Sequence, residues 1–162
     1  MTQNEQKVLE VLMNLGIEYR RVEHPPVYTV EEAKRICTFV ETGCKNLFLK
    51  DNGGKNHYLV VMIDSKRADI KAISKQLNVS RLSFGKEEEL YSLLGLKPGE
   101  VTPFGLLNDE DRAVTVVIDD ELENLEYVSF HPNVNTSTLI LAYRDFKRYL
   151  EWIKNKIEKI KI

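Results

Sequence analysis

Tyr127-Val-Ser-Phe-His-Pro-Asn-Val-Asn-Thr-Ser-Thr138 sets a polar, histidine-bearing loop between two apolar runs, and the rest of the chain reads outward from it. The left flank ends in Val128 and Phe130, and the right flank continues as Leu139-Ile-Leu-Ala142. Both have the composition of short strands, so the chain turns at His131-Pro132-Asn133. Proline fixes its own φ and pushes the residue before it toward an extended conformation, which constrains the His131 backbone on both sides. Asn133, Asn135, Thr136, Ser137 and Thr138 add donors and acceptors that suit a hydroxyl-rich or ester-bearing ligand. The same residues also read as an Asn/Thr turn that caps itself, and the stretch alone leaves both readings open.

Downstream, Phe146, Tyr149, Leu150, Ile153, Ile157 and Ile160 fall on one helical face while Lys147, Arg148, Lys154, Lys156, Lys159 and Lys161 fill the remainder. This spacing predicts one amphipathic helix to the end of the sequence, with a basic side that is either a solvated face or a contact for nucleic acid. Upstream, Val8, Leu9, Leu12 and Leu15 predict an opening helix closed at Gly16, and Ile17, Tyr19 and Val22 a strand stopped by His24-Pro25-Pro26. Thr29 with Glu32 forms a capping box for a short second helix through Ala33 and Ile36. Lys45–Lys50 and His57–Ile63 flank Asp51-Asn-Gly-Gly54 and predict a hairpin, its second run apolar enough for a central strand buried on both faces. Helices over Asp69–Leu77 and Lys86–Leu94 and strands at Leu82–Phe84 and Ala113–Ile118 complete the pattern. With about seven strands and four or five helices, the expectation is a mixed α/β fold, a curved mixed sheet flanked by helices, in a single domain spanning residues 1–162.

Composition narrows the class. At 162 residues, 43% hydrophobic and 30% charged, the chain suits one soluble domain with a sizeable core. No apolar run approaches the roughly 20 residues that cross a bilayer, and Met1-Thr-Gln-Asn-Glu lacks the basic-then-apolar order of a secretory signal, so the cytoplasm is the expected compartment and no membrane partner is expected. Net charge of −2 excludes indiscriminate binding to a nucleic-acid backbone but not a local basic patch. Cys37 and Cys44 read as free thiols in a reducing compartment. His24, His57 and His131 are too scattered for a metal site, so neither metal nor cofactor is expected. His24 reads as structural or rim-lining and His57 as exposed at a strand edge.

Candidates for chemistry are few. Lys45 starts a strand directly after Gly43-Cys44, where its ammonium either anchors a phosphate or developing oxyanion or is simply solvated. Cys44 reads as a small buried thiol, since no cysteine-hydrolase signature surrounds it. There is no Gly-x-Ser-x-Gly nucleophile elbow, no phosphate-binding loop and no dinucleotide fingerprint. Gly99-Glu-Val-Thr-Pro-Phe-Gly105 is a loop, because two glycines permit unusual φ values and Pro103 removes a donor.

Taken together, Lys45-Asn-Leu-Phe-Leu49, Gly99-Glu-Val-Thr-Pro-Phe-Gly-Leu106 and Phe130-His-Pro-Asn-Val-Asn-Thr136 stand in the order and approximate spacing of the YbaK/prolyl-tRNA synthetase-associated editing domain family. His24-Pro-Pro-Val-Tyr-Thr-Val-Glu-Glu-Ala33 also resembles that family's N-terminal stretch. The resemblance covers nearly the whole chain and is strongest to the freestanding alanyl-tRNA(Pro) deacylases. It implies hydrolysis of mischarged tRNA(Pro) in trans, with prolyl-tRNA synthetase as a further partner and no DNA partner. It implies that Lys45 is the functionally critical lysine and holds the tRNA terminus or ester end. It implies too that Gly99, Thr102, Pro103, Phe104 and Gly105 form the loop whose backbone amides face the scissile carbonyl, and that His131 positions substrate. Asn133, Asn135 and Thr136 then fall beside the substrate. An aminoacyl ester is already activated, so a placed water and preorganised donors suffice without a covalent nucleophile. In this family the ribose 2′-hydroxyl is held to orient or activate that water. A small pocket that admits alanine and refuses proline supplies specificity, with Val27, Ile36, Phe39, Val40, Leu47 and Phe104 as candidate walls and Arg35–Gly43 as the segment that sets preference. Cysteinyl-tRNA(Pro) is the competing substrate, and a non-catalytic tRNA- or synthetase-binding module is the reading from another class.

Overall fold

Thr2 starts the first helix by accepting a hydrogen bond from the Glu5 amide at 3.1 Å, and α1 (Gln3–Asn14) buries Glu5, Val8 and Leu12 on one face. Gly16, at φ +67°, lets the chain leave the helix in a left-handed conformation that a side chain would strain. β1 (Tyr19–Glu23) follows. The computed structural model describes residues 1–26 and 43–162, so the helix predicted from Thr29 and the residues Val27, Cys37, Ile36, Phe39 and Val40 lie outside the described residues.

β2 (Cys44–Asp51) and β3 (His57–Ile63) form the predicted antiparallel hairpin. Its turn is closed by the Asp51 carboxylate, which accepts from the backbone and side-chain amides of Asn56 at 3.0 and 2.7 Å. α2 (Ile70–Gln76), capped by Asp69, leads to β4 (Leu82–Phe84), which pairs with β2, and to α3 (Glu87–Leu94), which stops at left-handed Gly95. A 3-10 turn, Pro103–Asn108, precedes β5 (Val114–Asp119), and a second, Asp120–Asn124, follows it. β6 (Tyr127–Phe130), β7 (Ser137–Ala142), α4 (Tyr143–Ile153) and β8 (Ile157–Ile160) end the chain.

The strands divide between two sheets, a five-stranded mixed one of order β4-β2-β3-β5-β8 and a three-stranded antiparallel one of order β1-β7-β6. β3 lies between antiparallel β2 and parallel β5, which is why its run is apolar on both faces. One face, with Phe48, Leu59, Val61 and Val116, packs on Phe130, Leu139 and Leu141 of the smaller sheet and on α1 and α4. The other, with Leu49, Val60, Met62 and Val117, is covered by Ile73 of α2. A parallel bridge between Gly43 and Ser129 links the two sheets beside the start of β2.

Two expectations are corrected. The predicted terminal helix ends at Ile153, Lys154 takes a left-handed φ of +66°, and Ile157–Ile160 pairs in parallel with β5. Asn155 causes the change: it is buried and donates to Asp109 Oδ2 at 2.9 Å and to the Val114 carbonyl at 2.8 Å, bonds that a continuing helix would forfeit. This makes eight strands among the described residues. His57, expected at the surface, is buried against Phe48, with ring centroids 5.4 Å apart, and its Nε2 lies 2.5 Å from Glu89 Oε2.

Candidate active site

The His131 loop is held at its base by β6 and β7. Phe130 packs at the end of β6 against Phe104 and Phe146, and the next strand begins at buried Ser137. Between them Asn133 adopts φ +60°, a conformation asparagine tolerates better than most residues. The loop is then tied to the Gly99–Gly105 segment. Thr102 Oγ1 donates to the His131 carbonyl at 2.7 Å, and Asn133 Nδ2 donates to the Phe104 carbonyl at 3.2 Å. Thr102 also caps the 3-10 turn through the Phe104 amide, so one hydroxyl serves as donor to one loop and acceptor for the other.

β2 joins the same cluster through Asn46, whose Nδ2 donates to the Val101 carbonyl at 3.1 Å. Successive strand residues face opposite sides of a sheet. Asn46 therefore shares the Cys44 and Phe48 face that looks toward the Thr102 and His131 loops. Lys45 shares the Leu47, Leu49 and Met62 face, with Met62 its cross-strand partner. The Lys45 side chain is half-buried and makes no hydrogen bond or ion pair with another described residue. Asn46 and Asn133 each donate an amide hydrogen to a loop carbonyl, and both buried Oδ1 atoms have no hydrogen-bond partner among the described residues.

The remaining predicted residues take distinct places. Gly99 is exposed at φ +85°. Gly105 is buried where an added Cβ would meet Leu96 Cδ1 at 2.6 Å, so its lack of a side chain permits close packing. Pro103 is buried, its carbonyl accepting from Tyr149 Oη at 2.9 Å. Phe104 is wholly buried, edge-on to Phe130 and Tyr149, and its ring anchors the loop in the core. Asn135 is half-buried, and exposed Thr136 uses its carbonyl to accept from the His24 amide at 3.0 Å. Leu47 packs with the core on the far face of the sheet.

Sequence reasoning gave His24 only a rim or structural role and missed the layer behind His131. β1 pairs with β7 so that Val22 faces Thr138 and Glu23 faces Ser137, which carries His24 alongside. His24 is buried, its ring centroid 5.7 Å from that of His131. Its Nδ1 lies 2.8 Å from the Pro25 carbonyl and its Nε2 2.7 Å from Thr138 Oγ1. His131 Nδ1 lies 2.9 Å from the Ser137 carbonyl and 3.3 Å from the same Thr138 Oγ1. Burial holds the His131 imidazole below its ordinary pKa, with proximity to His24 acting in the same direction and the Ser137 carbonyl opposing. Ser137 is fixed in turn, its hydroxyl donating to Glu5 Oε1 at 2.7 Å while Arg21 Nε meets the same oxygen at 2.6 Å. Burial alone would raise the Glu5 carboxyl, but the bonds from Arg21 and Ser137 outweigh it and hold it below the ordinary value. Glu5 had a legible signal: it is a lone carboxylate on the apolar stripe with Val8 and Leu12.

Three segments distant in sequence thus meet around one polar cluster. The same segments fall within a match to the family model described as the aminoacyl-tRNA editing domain, over residues 24–149. Prolyl-tRNA editing protein ProX of Acetoanaerobium sticklandii is 39% identical over 158 residues, covering 97% of this chain and 96% of that protein. Prolyl-tRNA synthetase associated domain-containing protein 1 of Danio rerio is 34% identical over 145 residues, covering 88% of this chain and 78% of that protein. The crystal structure described as that of a candidate trans-editing enzyme for prolyl tRNA synthetase superposes with a TM-score of 0.75 over all of this chain and 99% of that one, and at 18% identity it shares the fold. The chain belongs to the aminoacyl-tRNA editing domain family, as an ester hydrolase of the aminoacyl-tRNA deacylase class.

Proposed function

We propose that this chain hydrolyses alanyl-tRNA(Pro) in trans, in the cytoplasm, on tRNA mischarged by prolyl-tRNA synthetase. The observation that carries the reading is the stitching of the Gly99–Gly105 and His131 loops by Thr102 and Asn133, within a chain 39% identical over nearly its whole length to a prolyl-tRNA editing protein. A water oxygen adds to the ester carbonyl, the bond from that carbon to the ribose oxygen breaks, and tRNA leaves with its hydroxyl restored while alanine leaves as the free acid. The backbone amides of Val101 and Thr102, which make no hydrogen bond to another described residue, are the donors for the developing oxyanion. Preorganised donors of this kind contribute about 3–4 kcal/mol each to the barrier. Lys45, whose side chain leaves β2 on the face opposite Asn46 and the two loops, is assigned the terminal nucleotide by its charge, and His131 the aminoacyl end. Exclusion of the prolyl ring by a small pocket accounts for sparing the correct product.

The test is deacylation of Ala-tRNA(Pro), Cys-tRNA(Pro) and Pro-tRNA(Pro) measured side by side with the full chain and with Lys45→Ala. The expected result is loss of the alanyl ester with the prolyl ester spared, and at least a hundredfold drop in turnover for Lys45→Ala with tRNA binding partly kept, on the order of one lost transition-state contact. Faster loss of the cysteinyl ester would move the specificity and keep the mechanism. Hydrolysis of none of the three would leave a binding module, and normal turnover by Lys45→Ala would refute the assigned role of that residue.

A further inference from the structure

Hydrogen-bond arithmetic around His131 determines where its proton sits. The Ser137 carbonyl, 2.9 Å from Nδ1, can only accept, so Nδ1 must carry hydrogen. The Pro25 carbonyl, 2.8 Å from His24 Nδ1, imposes the same condition on the second ring. With His24 neutral, its Nε2 is a bare lone pair, and the Thr138 hydroxyl spends its single proton on it at 2.7 Å. Thr138 Oγ1 then presents only lone pairs to His131 Nδ1, 3.3 Å away. Both groups facing His131 Nδ1 are acceptors, which leaves Nε2 of a neutral His131 unprotonated. That Nε2 makes no hydrogen bond to another described residue.

We infer that His24 and Thr138 are positioning residues that hold His131 as its Nδ1–H tautomer, so that the Nε2 lone pair is the acceptor offered to an O–H or N–H group of the substrate's aminoacyl end. The tautomer follows from the contacts within the chain; only the identity of the donor rests on the function proposed above. Burial supports the arrangement by keeping the ring neutral. The opposite tautomer would aim a hydrogen at the substrate and set the Nδ1 lone pair against those of the Ser137 carbonyl and Thr138 Oγ1, a buried mismatch.

The experiment is long-range ¹H–¹⁵N NMR of the histidine side chains in the full chain, with kcat and KM for Ala-tRNA(Pro), for the unaltered protein, Thr138→Val and Thr138→Ser. The unaltered protein is expected to show a protonated Nδ1 and an unprotonated Nε2 at His131. Thr138→Val removes one of the two acceptors facing Nδ1 while the Ser137 carbonyl remains, so it is expected to raise a minor Nε2–H population and, with the ring less firmly held, to lower kcat about threefold with KM within about twofold, and Thr138→Ser to restore both. If the valine variant does not fold, His24→Phe, which releases the Thr138 proton toward His131, is expected to give the same spectral shift. A protonated Nε2 in the unaltered protein would overturn the inference, as would a valine variant with unchanged tautomer and kcat. Should the unaltered chain hydrolyse no aminoacyl-tRNA, the proposed function falls while the spectra of the same proteins still decide the tautomer.

Discussion

Cys44 is half-buried, and desolvation of its thiol, with Asp64 and Asp119 nearby, pushes its pKa up to about 12. Only the thiolate is an effective nucleophile, so at neutral pH this sulfur is chemically quiet. At its neighbour Gly43 an added Cβ would come 2.4 Å from Asp64 Oδ2, so a side chain there would push that carboxylate aside. The Gly43-Cys44 pair is therefore a packing device that lets β2 pass close to Asp64 and to Ser129. In a Cys37→Ser background, Cys44→Ala is expected to keep turnover of alanyl-tRNA(Pro) within about twofold, because no step of the proposed reaction uses the sulfur. Native protein in that background should react with an aromatic disulfide reagent only as it unfolds. Loss of activity in a folded Cys44→Ala protein would reopen thiol chemistry.

At the scale of the element, the end of the chain shows what the sequence could and could not convey. Ile153, Ile157 and Ile160 are spaced as a helix requires, yet only Ile153 belongs to one; Ile160 is buried from a strand while Ile157 is 40% exposed. A run this short satisfies both periods, and the choice is made by a polar residue, Asn155, whose partners Asp109 and Val114 are about 40 residues away. Asp109 also accepts from the Ala113 and Val114 amides, so the carboxylate binds the start of β5 and the approach to β8 together. Asn155→Ala is expected to destabilise the protein by about 2–3 kcal/mol, the loss of two buried hydrogen bonds of which one is to a carboxylate, measured as a fall in the urea midpoint. A change below about 0.5 kcal/mol would show that β8 is held by its ladder alone. Strands and helices flanked by turn residues were legible for the converse reason, that Asp51, Gly16, Asp69 and Gly95 act within a few positions of themselves. The site was legible in its motifs and illegible in its assembly. Thr102 and His131 were both candidates, but their bond joins two loops 29 residues apart, the Lys45 and Asn46 division between faces comes from the pairing of β2 with β3, and the His24–Thr138 contact from that of β1 with β7.

On the scale of the whole molecule, the site's second layer is also a clamp between the N-terminal helix and the small sheet, and its charge state links fold to pH. Glu5 on α1 receives Ser137 of β7 and Arg21 of β1, and Ser137 in turn receives His131. Both Glu5 and His131 have pKa values depressed below their ordinary 4.5 and 6.5. For each, the unfolded chain takes up a proton at a higher pH than the folded one. The stability it contributes is thus fully present above the unfolded value and is lost as pH falls through the folded value. Urea midpoints are expected to decline in two stages on acidification, one beginning near pH 6.5 from His131 and a second beginning near pH 4.5 from Glu5 together with Glu89 and Glu123, whose carboxyls are also held low. His131→Asn should flatten the first stage and leave the second. Glu5→Gln, which keeps an acceptor for Ser137 but no charge for Arg21, should lower stability at pH 7 and make the second shallower. A protein whose midpoint is level from pH 7 to pH 5 would show that His131 is not held neutral by its surroundings. An acid stage of unchanged size in Glu5→Gln would show that the clamp behind the candidate active site contributes nothing to it.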